Sequence, residues 1–436
     1  MRVVDIIQRK RDGQELTDHQ IAALLDKYLE GSVPDYQVAA FLMAVYFRGM
    51  TDAELKTFTE KMMHSGDIIK FEGVKKFLVD KHSTGGVGDK VTIALAPLLA
   101  AFDIGTAKLS GKGLGHTGGT IDKLESIPGF VFPETREELV SQVNQTGVGI
   151  MGYSENIVPL DKRLYSLRDV TATVSSIPLI ASSIMSKKLA VYADGIMLDV
   201  KVGAGAFMKT IEEARELAET MLGIGKNFDR KMVVHLTNMD QPLGCAVGNA
   251  LEVIEAIETL KGKGPKEFTD LILHLTGTAL YIKGNAKSIE EGAEMASHMI
   301  RTGEPLDKMK QFIKANGGDE RIVNDYSLLP TASDQVDVIA KKAGFVRKIE
   351  AEEIGKAAMI LGAGRATKES ELDYAVGLVL NKKVGDEVRE GEVLATLYYN
   401  AADNLEDSIK KVEKAYDFSS EKVESQSVVL DTIKGF

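Results

Sequence analysis

Two glycine-rich loops, each directly after a short apolar stretch, constrain the fold of this chain more than any other feature. The first loop, residues 81–89, follows residues 77–80, and the second, residues 110–120, follows residues 106–109. An apolar, helix-like segment comes after the first loop at residues 91–102. Alternation of strand, loop and helix predicts a parallel sheet with crossover helices. In such sheets ligands bind beyond the carboxyl ends of the strands, which is where both loops begin.

The same triplet, Lys-x-Ser, stands where each apolar stretch meets its loop: at Lys81 and Ser83, and again at Lys108 and Ser110. Residues two apart in an extended chain point to the same side, so each strand end offers an ammonium and a hydroxyl together. Glycine lets main-chain N–H groups approach a ligand closely, and five of the nine residues 111–119 are glycine. Charge, hydroxyls and N–H groups suit an oxyanion, so the loops predict a phosphate site. The alternative is that the glycines serve turns and close packing alone.

The chain as a whole is acidic, although the two loops are not. Its 436 residues carry a net charge of −11, which argues against a general nucleic-acid-binding protein. Residues 81–120 contain four lysines and two aspartates, so this region is positively charged and could bind an anion locally. The single cysteine, Cys245, fits a reducing cytosol. The N-terminus has no signal-peptide pattern, and residues 91–102 are too few to span a bilayer. We therefore expect a cytoplasmic protein with no membrane or nucleic-acid partner.

Helical patterns on both sides of the first glycine-rich region predict a separate helical domain. Capping boxes begin helices at Thr17 and Thr51. Residues 36–47 are apolar almost all round, which predicts burial in a bundle or in a subunit interface. Residues 156–193 return to helical character, and we expect this insert to pack on the N-terminal helices.

The predicted fold class is therefore a small all-α domain against a large mixed α/β domain, with a small β-rich domain at the C-terminus. The predicted boundaries are residues 1–65 and 156–193 for the helical domain, 66–155 and 194–340 for the α/β domain, and 341–436 for the C-terminal α+β domain. Residues 384–395 alternate short strands with glycine turns and resemble the β barrel-sandwich of biotinyl and lipoyl domains. The lysine that carries the cofactor in those domains is missing, which favours a structural cap.

Five segments together resemble the thymidine and pyrimidine-nucleoside phosphorylases. The first is Lys-His-Ser-Thr-Gly-Gly-Val-Gly-Asp at residues 81–89, and the second is the long glycine loop continued to Glu125. The others are residues 165–174, 182–188 and 194–203. The resemblance covers nearly the full length, including the C-terminal β domain. It departs at Lys112, where the family usually has arginine, so a bidentate contact there is lost.

The resemblance implies reversible phosphorolysis, in which a pyrimidine nucleoside and phosphate give free base and pentose 1-phosphate. It implies a phosphate site in the α/β domain and a base site in the helical insert. The base would be held by Arg168, Ser183 and Lys187, with His82 close to it. His82, Arg168 and Lys187 would be the catalytic residues. The implied phosphate ligands are Lys81, Ser83, Thr92, Lys108, Ser110 and Thr120.

Breaking the glycosidic bond sends negative charge into the base, and cations at the pyrimidine carbonyls would stabilise that charge. Ser183 and Lys187 lie four apart on one helix face and can grip a ring edge together. Arg168 could instead pair with a neighbouring aspartate, Asp169 or Asp161. Lys187 could instead be simply solvated, as the adjacent lysine suggests. His82 could donate a proton to the base or act only as a hydrogen-bond partner.

The resemblance also implies a monovalent cation, expected to be potassium, in the α/β domain. Its ligands would be mainly main-chain oxygens. The matching positions are Gly88, Lys90, Leu243, Ala246 and Glu255. Lys90 replaces what is commonly an uncharged residue, and its ammonium would compete with the cation if it turned inward. No organic cofactor is expected.

Lys108 favours the broad type of this family, which accepts uridine as well as thymidine or deoxyuridine, because thymidine-restricted relatives often have an apolar residue there. The alternatives are a strict thymidine phosphorylase, an anthranilate-type phosphoribosyltransferase of the same fold, and a non-catalytic nucleoside-binding protein. We expect a homodimer formed through the helical domain. We also expect closure of the cleft between the domains during catalysis.

Overall fold

The computed structural model describes residues 2–113, 115–367 and 370–436. Leu114, which belongs to the second glycine-rich loop, lies outside the described residues. Among the described residues, no helix has both the length and the apolar character needed to cross a membrane.

Four helices begin the chain and form most of the helical domain. They are α1 (Val3–Arg11), α2 (Asp18–Leu29), α3 (Asp35–Arg48) and α4 (Asp52–Met63). Thr17 and Thr51 cap α2 and α4 with their side chains, and both capping boxes form as predicted. A buried ion pair joins α1 to α4, because Lys10 Nζ lies 2.6 Å from a carboxylate oxygen of Glu54. Glu54 also accepts hydrogen bonds from the main-chain N–H groups of Leu16 and Thr51.

Strands and helices then alternate, as predicted. The first group is β1 (Phe77–Ser83), α5 (Val91–Ala101), β2 (Ile104–Ser110), α6 (Thr120–Glu125), α7 (Arg136–Thr146) and β3 (Val148–Gly152). The helical insert follows as α8 (Pro159–Val170) and α9 (Ile177–Ala190). The α/β domain resumes with β4 (Gly195–Val202), α10 (Ile211–Asn227), β5 (Lys231–Asn238), β6 (Ala246–Gly248), α11 (Asn249–Leu260), α12 (Lys266–Lys283), α13 (Ile289–Thr302) and α14 (Glu304–Ala315). Helix α9 packs on α4 and α10, so the insert joins the N-terminal helices.

The C-terminal part is built of short strands around two helices. Its elements are β7 (Asp334–Ile339), β8 (Gly344–Ile349), α15 (Ala351–Ile360), β9 (Gly377–Leu380), β10 (Glu387–Val388), β11 (Val393–Tyr399), α16 (Leu405–Ala415), β12 (Tyr416–Ser419) and β13 (Val429–Lys434). Most of them form two small sheets with the strand orders β10-β8-β12 and β6-β9-β11-β7. This arrangement fits the predicted β barrel-sandwich-like domain and confirms the predicted fold class.

The large sheet has six strands in the order β13-β5-β4-β1-β2-β3. Strands β5, β4, β1, β2 and β3 run parallel, and β13 is antiparallel at one edge. The chain moves from β1 to β2 and β3 on one side, and to β4 and β5 on the other. The carboxyl end of β1 therefore lies at the reversal of strand order, where open α/β sheets bind ligands.

Three strands cross the boundary that the sequence suggested near residue 341. The C-terminal strand β13 leaves the last domain and pairs with β5 of the large sheet. In the other direction, β6 and β7 precede that boundary, but β6 pairs with β9 and β7 pairs with β11 of the C-terminal domain. These pairings tie the two domains together in space.

Candidate active site

The two glycine-rich loops enclose a cavity of about 200 Å³ at the carboxyl ends of β1 and β2. All six predicted phosphate ligands line it: Lys81, Ser83, Thr92, Lys108, Ser110 and Thr120. The second loop folds back on itself so tightly that a Cβ on Gly113 would lie 2.4 Å from the nitrogen of Gly119. These two glycines therefore serve close packing, which was the alternative for the whole loop, while the cavity around them is lined by cations and hydroxyls.

Lys81 is buried in a network of charges that holds its ammonium in place. Its Nζ lies 3.0 Å from Asp199 and 3.6 Å from Asp89. Asp199 also pairs with Lys201 at 2.8 Å and accepts a hydrogen bond from Thr237. Burial favours the neutral amine, but the two carboxylates outweigh it and raise the pKa of Lys81. This lysine is thus a permanent cation beside the cavity.

Lys108 lies in a different environment, in which its charge is less stable. Its Nζ donates a hydrogen bond to the carbonyl of Lys81 at 2.5 Å and lies 3.6 Å from Asp80. The stronger partner of Asp80 is Lys188 on α9, at 2.7 Å. Burial is the largest effect on Lys108 and lowers its pKa to about 8, against the attraction of Asp80. An anion in the cavity would stabilise the ammonium form.

Four lysines and three aspartates form this network, so it carries one more positive than negative charge when all are ionised. The members are Lys81, Lys108, Lys188, Lys201, Asp80, Asp89 and Asp199. Such an excess, buried beside main-chain N–H groups of a glycine loop, is complementary to an anion such as phosphate.

A second, larger cavity of about 470 Å³ lies beside the first. The three predicted base ligands, Arg168, Ser183 and Lys187, line it. Its apolar lining consists of Val174, Ile180, Ile184, Phe207, Met208 and Leu217. Polar and charged side chains form the rest of the lining, and apolar walls combined with placed polar groups are typical of a site for a flat organic ring.

The polar groups of this cavity are fixed by their neighbours. Lys187 Nζ lies 2.5 Å from a carboxylate oxygen of Asp161 on α8 and 3.2 Å from the hydroxyl of Ser183. Arg168 is buried, and its guanidinium donates to the carbonyls of Thr173, Val174 and Leu179. Within the part of the chain that the structure describes, these contacts use three of the five N–H groups of Arg168, which leaves two for a ligand.

His82 lines both cavities, together with Ser83. It follows Lys81 in β1 and therefore points to the opposite side of the strand. Burial, with the nearby ammonium groups of Lys188 and Lys108, keeps the pKa of His82 well below its usual value. The imidazole is therefore neutral at physiological pH, with one N–H donor and one acceptor.

Family models match along most of the chain. The model for "Glycosyl transferase family, a/b domain" matches residues 75–306, and that for "Glycosyl transferase family, helical bundle domain" matches residues 4–66. The model for "Pyrimidine nucleoside phosphorylase C-terminal domain" matches residues 345–419. The pyrimidine-nucleoside phosphorylase of Bacillus subtilis (strain 168) is 53% identical over 412 residues, which are 94% of this chain and 95% of that protein. The chain belongs to the pyrimidine-nucleoside phosphorylase family.

Further relatives agree with this family. The pyrimidine-nucleoside phosphorylase of Geobacillus stearothermophilus is 50% identical over 433 residues, which are 99% of this chain and 100% of that protein. Among solved structures, anthranilate phosphoribosyltransferase (TrpD) from Thermus thermophilus is similar with a TM-score of 0.57. It covers 71% of this chain and 98% of its own, but only 17% of residues are identical, so the likeness shows the fold alone.

The structure does not match the two alternatives to base binding, which were an aspartate pair for Arg168 and simple solvation for Lys187. Arg168 bonds to main-chain carbonyls rather than to Asp169 or Asp161. Lys187 is not simply solvated, because it pairs with Asp161. The adjacent Lys188 is not a surface lysine either, because it is 3% exposed and pairs with Asp80.

Lys112, at the position where the family usually has arginine, pairs with Glu125 at 2.9 Å, and 56% of its side chain is exposed. Lys112 is not one of the described residues that line the phosphate cavity.

Four aspartates hold the functional cations, and this role was not predicted for them: Asp80, Asp89, Asp161 and Asp199. A signal for Asp199 was available, because it lies with Lys201 in a strand that is otherwise apolar. Two charged residues at a spacing of two in a buried strand require partners on the same face of the sheet. The sequence suggested Asp161 only as a partner of Arg168, whereas in the structure it pairs with Lys187.

The five residues expected to bind a potassium ion do converge in space, but around an ammonium. Lys90 Nζ lies 2.9 Å from the carbonyl oxygens of Leu243 and Ala246 and 2.5 Å from a carboxylate oxygen of Glu255. Gly88 lies beside them, since a Cβ there would be 2.6 Å from the Leu243 oxygen. The donor set suits a monovalent cation, yet the ammonium already takes its central position. A potassium ion does not fit beside it.

Proposed function

We propose that this chain catalyses the reversible phosphorolysis of pyrimidine nucleosides, with phosphate held by the glycine loops and the base held by α8 and α9. The observation that carries this proposal is the pair of adjoining cavities that share His82 and Ser83. One cavity is small, cationic and rich in hydroxyls. The other is larger and mostly apolar, with cations on one side. Membership of the family supports the same reaction.

In the proposed reaction a phosphate oxygen attacks C1′ of the pentose while the glycosidic C–N bond breaks. The electron pair of that bond passes into the base, which leaves as an anion and is then protonated. Phosphate itself is the nucleophile, so no side chain has to form a covalent intermediate. Lys81, Lys108 and the hydroxyls would hold phosphate close to C1′, which converts attack into a step within one complex.

Arg168 and Lys187 would stabilise the charge that develops on the base. Their positions support this role, because Asp161 and the carbonyls around Arg168 fix both cations before the substrate enters. Preorganised charges need no reorganisation in the transition state and are therefore effective. Ser183 would donate to or accept from the same ring edge as Lys187.

His82 is proposed as a hydrogen-bond partner rather than as a strong acid, since its imidazole is neutral at physiological pH. From its place between the cavities it can contact the pentose or the base without changing its charge. If it donated a proton from an imidazolium, activity would fall as the pH rises through the pKa of His82. Activity that does not fall between pH 6 and pH 7.5 would support the hydrogen-bond role.

The substrate range is proposed to include uridine as well as thymidine and deoxyuridine. The residue type at position 108 supports this range, because thymidine-restricted relatives often have an apolar residue there, whereas Lys108 lines the phosphate cavity. The test is phosphate-dependent base release from the three nucleosides, measured side by side. Release of uracil from uridine is expected. Turnover of thymidine alone would reject the broad range, and binding without turnover would reject catalysis.

Lys187→Met is the matched variant for the base site, and Lys162→Met is its control on the neighbouring helix. Lys162 also lines the larger cavity, but its side chain is 66% exposed and pairs with Glu155. Loss of turnover in Lys187→Met with near-normal turnover in Lys162→Met is expected. Equal effects of the two variants would contradict the assigned role of Lys187.

We further propose that the chain forms a homodimer through the helical domain. Tyr36 and Phe47 on α3 are 73% and 75% exposed, although α3 is apolar almost all round. Phe47 lies with Ile7 and Met43 along one outer face of the helical domain, and large exposed apolar surfaces mark interaction sites. Sedimentation of the wild type and of Phe47→Glu tests this. A wild-type monomer with full activity would reject it. A cytoplasmic location is proposed as before, from the composition.

A further inference from the structure

Lys90 is the N-cap residue of α5, directly after the first glycine-rich loop. Its side chain is completely buried, and the ammonium has three hydrogen-bond acceptors within 2.9 Å. Two of them are main-chain carbonyls, from Leu243 and Ala246, and the third is the carboxylate of Glu255. An ammonium has three N–H donors, so each donor has one acceptor. The geometry is that of a filled cation site.

The surroundings of the ammonium are closed and negatively charged. Glu255 faces it from α11 and also accepts hydrogen bonds from the main-chain N–H groups of Cys245 and Ala246. A Cβ on Gly244 would lie 2.9 Å from Lys90 Nζ and 2.0 Å from an oxygen of Glu255. The backbone therefore approaches so closely at Gly244 that a second ion has no room. The ring of Phe268 lies 5.4 Å from Nζ.

The charge of Lys90 is secure in this environment. Burial by itself lowers the pKa of Lys90, but the carboxylates of Glu255 and Glu252 outweigh burial and raise it. A free cation placed among the same oxygens would meet a like charge at contact distance in a region without water to screen it. Either the ammonium or a cation can occupy the site, but not both.

We propose that the Lys90 ammonium is a tethered replacement for a monovalent cation, so that this enzyme requires no potassium for stability or for turnover. The tether has a structural consequence for the phosphate site. Lys90 joins the loop that contains Asp89 to the turn at residues 243–246 and to α11. The same residue caps α5, in which Thr92 lines the phosphate cavity. The ammonium thereby holds one wall of that cavity.

The first test uses the wild-type protein and has two independent readouts. The melting temperature and the steady-state rate are measured in potassium chloride and in choline chloride at equal ionic strength. We expect both quantities to be the same in the two salts. A melting temperature or a rate that rises specifically with potassium would overturn the proposal. The melting arm is independent of the proposed function, so failure of one can be distinguished from failure of the other.

The second test restores a free cation site with Lys90→Ser. In choline chloride we expect a lower melting temperature and a rate about tenfold lower, because the loop is no longer held in place. Potassium should restore both in a saturable manner, since an ion that binds only the folded state stabilises it. A Lys90→Ser protein that ignores potassium would count against the proposal.

Lys10→Ser is the matched control, because Lys10 is also a buried lysine paired with one carboxylate, Glu54. Its ammonium donates to Glu54, and no carbonyl of the described residues joins that contact, so potassium should not restore the melting temperature of this variant. An equal response of the two variants would overturn the proposal. If Lys90→Ser does not fold in either salt, the double variant Lys90→Ser/Glu255→Gln removes the charge and its partner together. This double variant should fold, and its melting temperature should not respond to potassium. A response to potassium would refute the proposal that the Glu255 carboxylate provides the negative charge of the cation site.

Discussion

Raising the pH should weaken phosphate binding by removing the charge of Lys108. Burial lowers the pKa of this lysine to about 8; the attraction of Asp80 opposes the shift, and the repulsion of Lys188 and Lys81 adds to it. Below pH 8 the side chain is an ammonium, which attracts phosphate, and above pH 8 it is a neutral amine. Lys81 keeps its charge over the same range because its own pKa is raised. The change therefore isolates one cation of the cavity.

The expected size follows from the fraction of charged Lys108. With a pKa of about 8, about one-half of the molecules carry the ammonium at pH 8 and about one-tenth at pH 9. If only the charged form binds phosphate well, KM for phosphate rises about fivefold over this interval, equivalent to about 1 kcal/mol. The interval lies above the range in which phosphate takes on its second negative charge. A rise in KM is therefore not caused by a change in the charge of phosphate, and comparison with a variant that stays charged separates Lys108 from ionisation of the uracil ring.

The assay is the initial rate of uracil release at saturating uridine, with phosphate varied at each pH and constant ionic strength. Lys108→Arg is the control, because a guanidinium stays protonated throughout this range. We expect the wild-type KM for phosphate to rise and the KM of Lys108→Arg to stay flat. A flat wild-type profile, or an equal rise in the variant, would refute the assignment to Lys108. Melting curves at each pH verify that both proteins remain folded.

Three further changes test other parts of the structure. Asp161→Asn removes the carboxylate that holds Lys187, and we expect kcat to fall about a hundredfold with KM for phosphate unchanged; unchanged kcat in steady-state kinetics would contradict this. Glu54→Gln breaks the buried pair with Lys10 and should lower the free energy of unfolding in urea by about 3–5 kcal/mol, with normal kinetics. Thr51→Ala removes the N-cap of α4 and an exposed hydrogen bond to Glu15, and it should cost about 1 kcal/mol. If Thr51→Ala lowered the free energy of unfolding as much as Glu54→Gln does, the buried pair of Lys10 and Glu54 would not explain the larger loss.

Features that depend on neighbours along the chain were predicted well from the sequence. The capping boxes at Thr17 and Thr51 and the two loops after β1 and β2 all follow from local residue types and spacing. The phosphate cavity could be predicted for the same reason. Each Lys-x-Ser triplet defines its own side of a strand, and adjacent parallel strands bring the two triplets to one edge of the sheet.

Features that depend on distant pairing were not predicted. Asp80 meets Lys188 although 108 positions separate them in the sequence. Successive residues on a helix point about 100° apart, so Lys187 and Lys188 face different surroundings despite their adjacency. The inward turn of Lys90 was raised as a condition only, because nothing local decides whether an ammonium faces solvent or a set of carbonyls. The pairing of β6 and β13 with strands of the other domain likewise could not be predicted from the residues of either strand alone.

The pair of Asp80 and Lys188 has a consequence for any opening of the active site. Asp80 belongs to β1 in the large sheet, and Lys188 belongs to α9 in the helical insert, so this buried contact bridges the two halves of the cleft. Pulling the two charges apart would leave each without its partner in a region that excludes water, which is costly. A rotation of the two halves that keeps this pair intact would therefore cost less free energy than a movement that separates them at this point. We expect the pair to stay closed while the cleft opens and closes elsewhere.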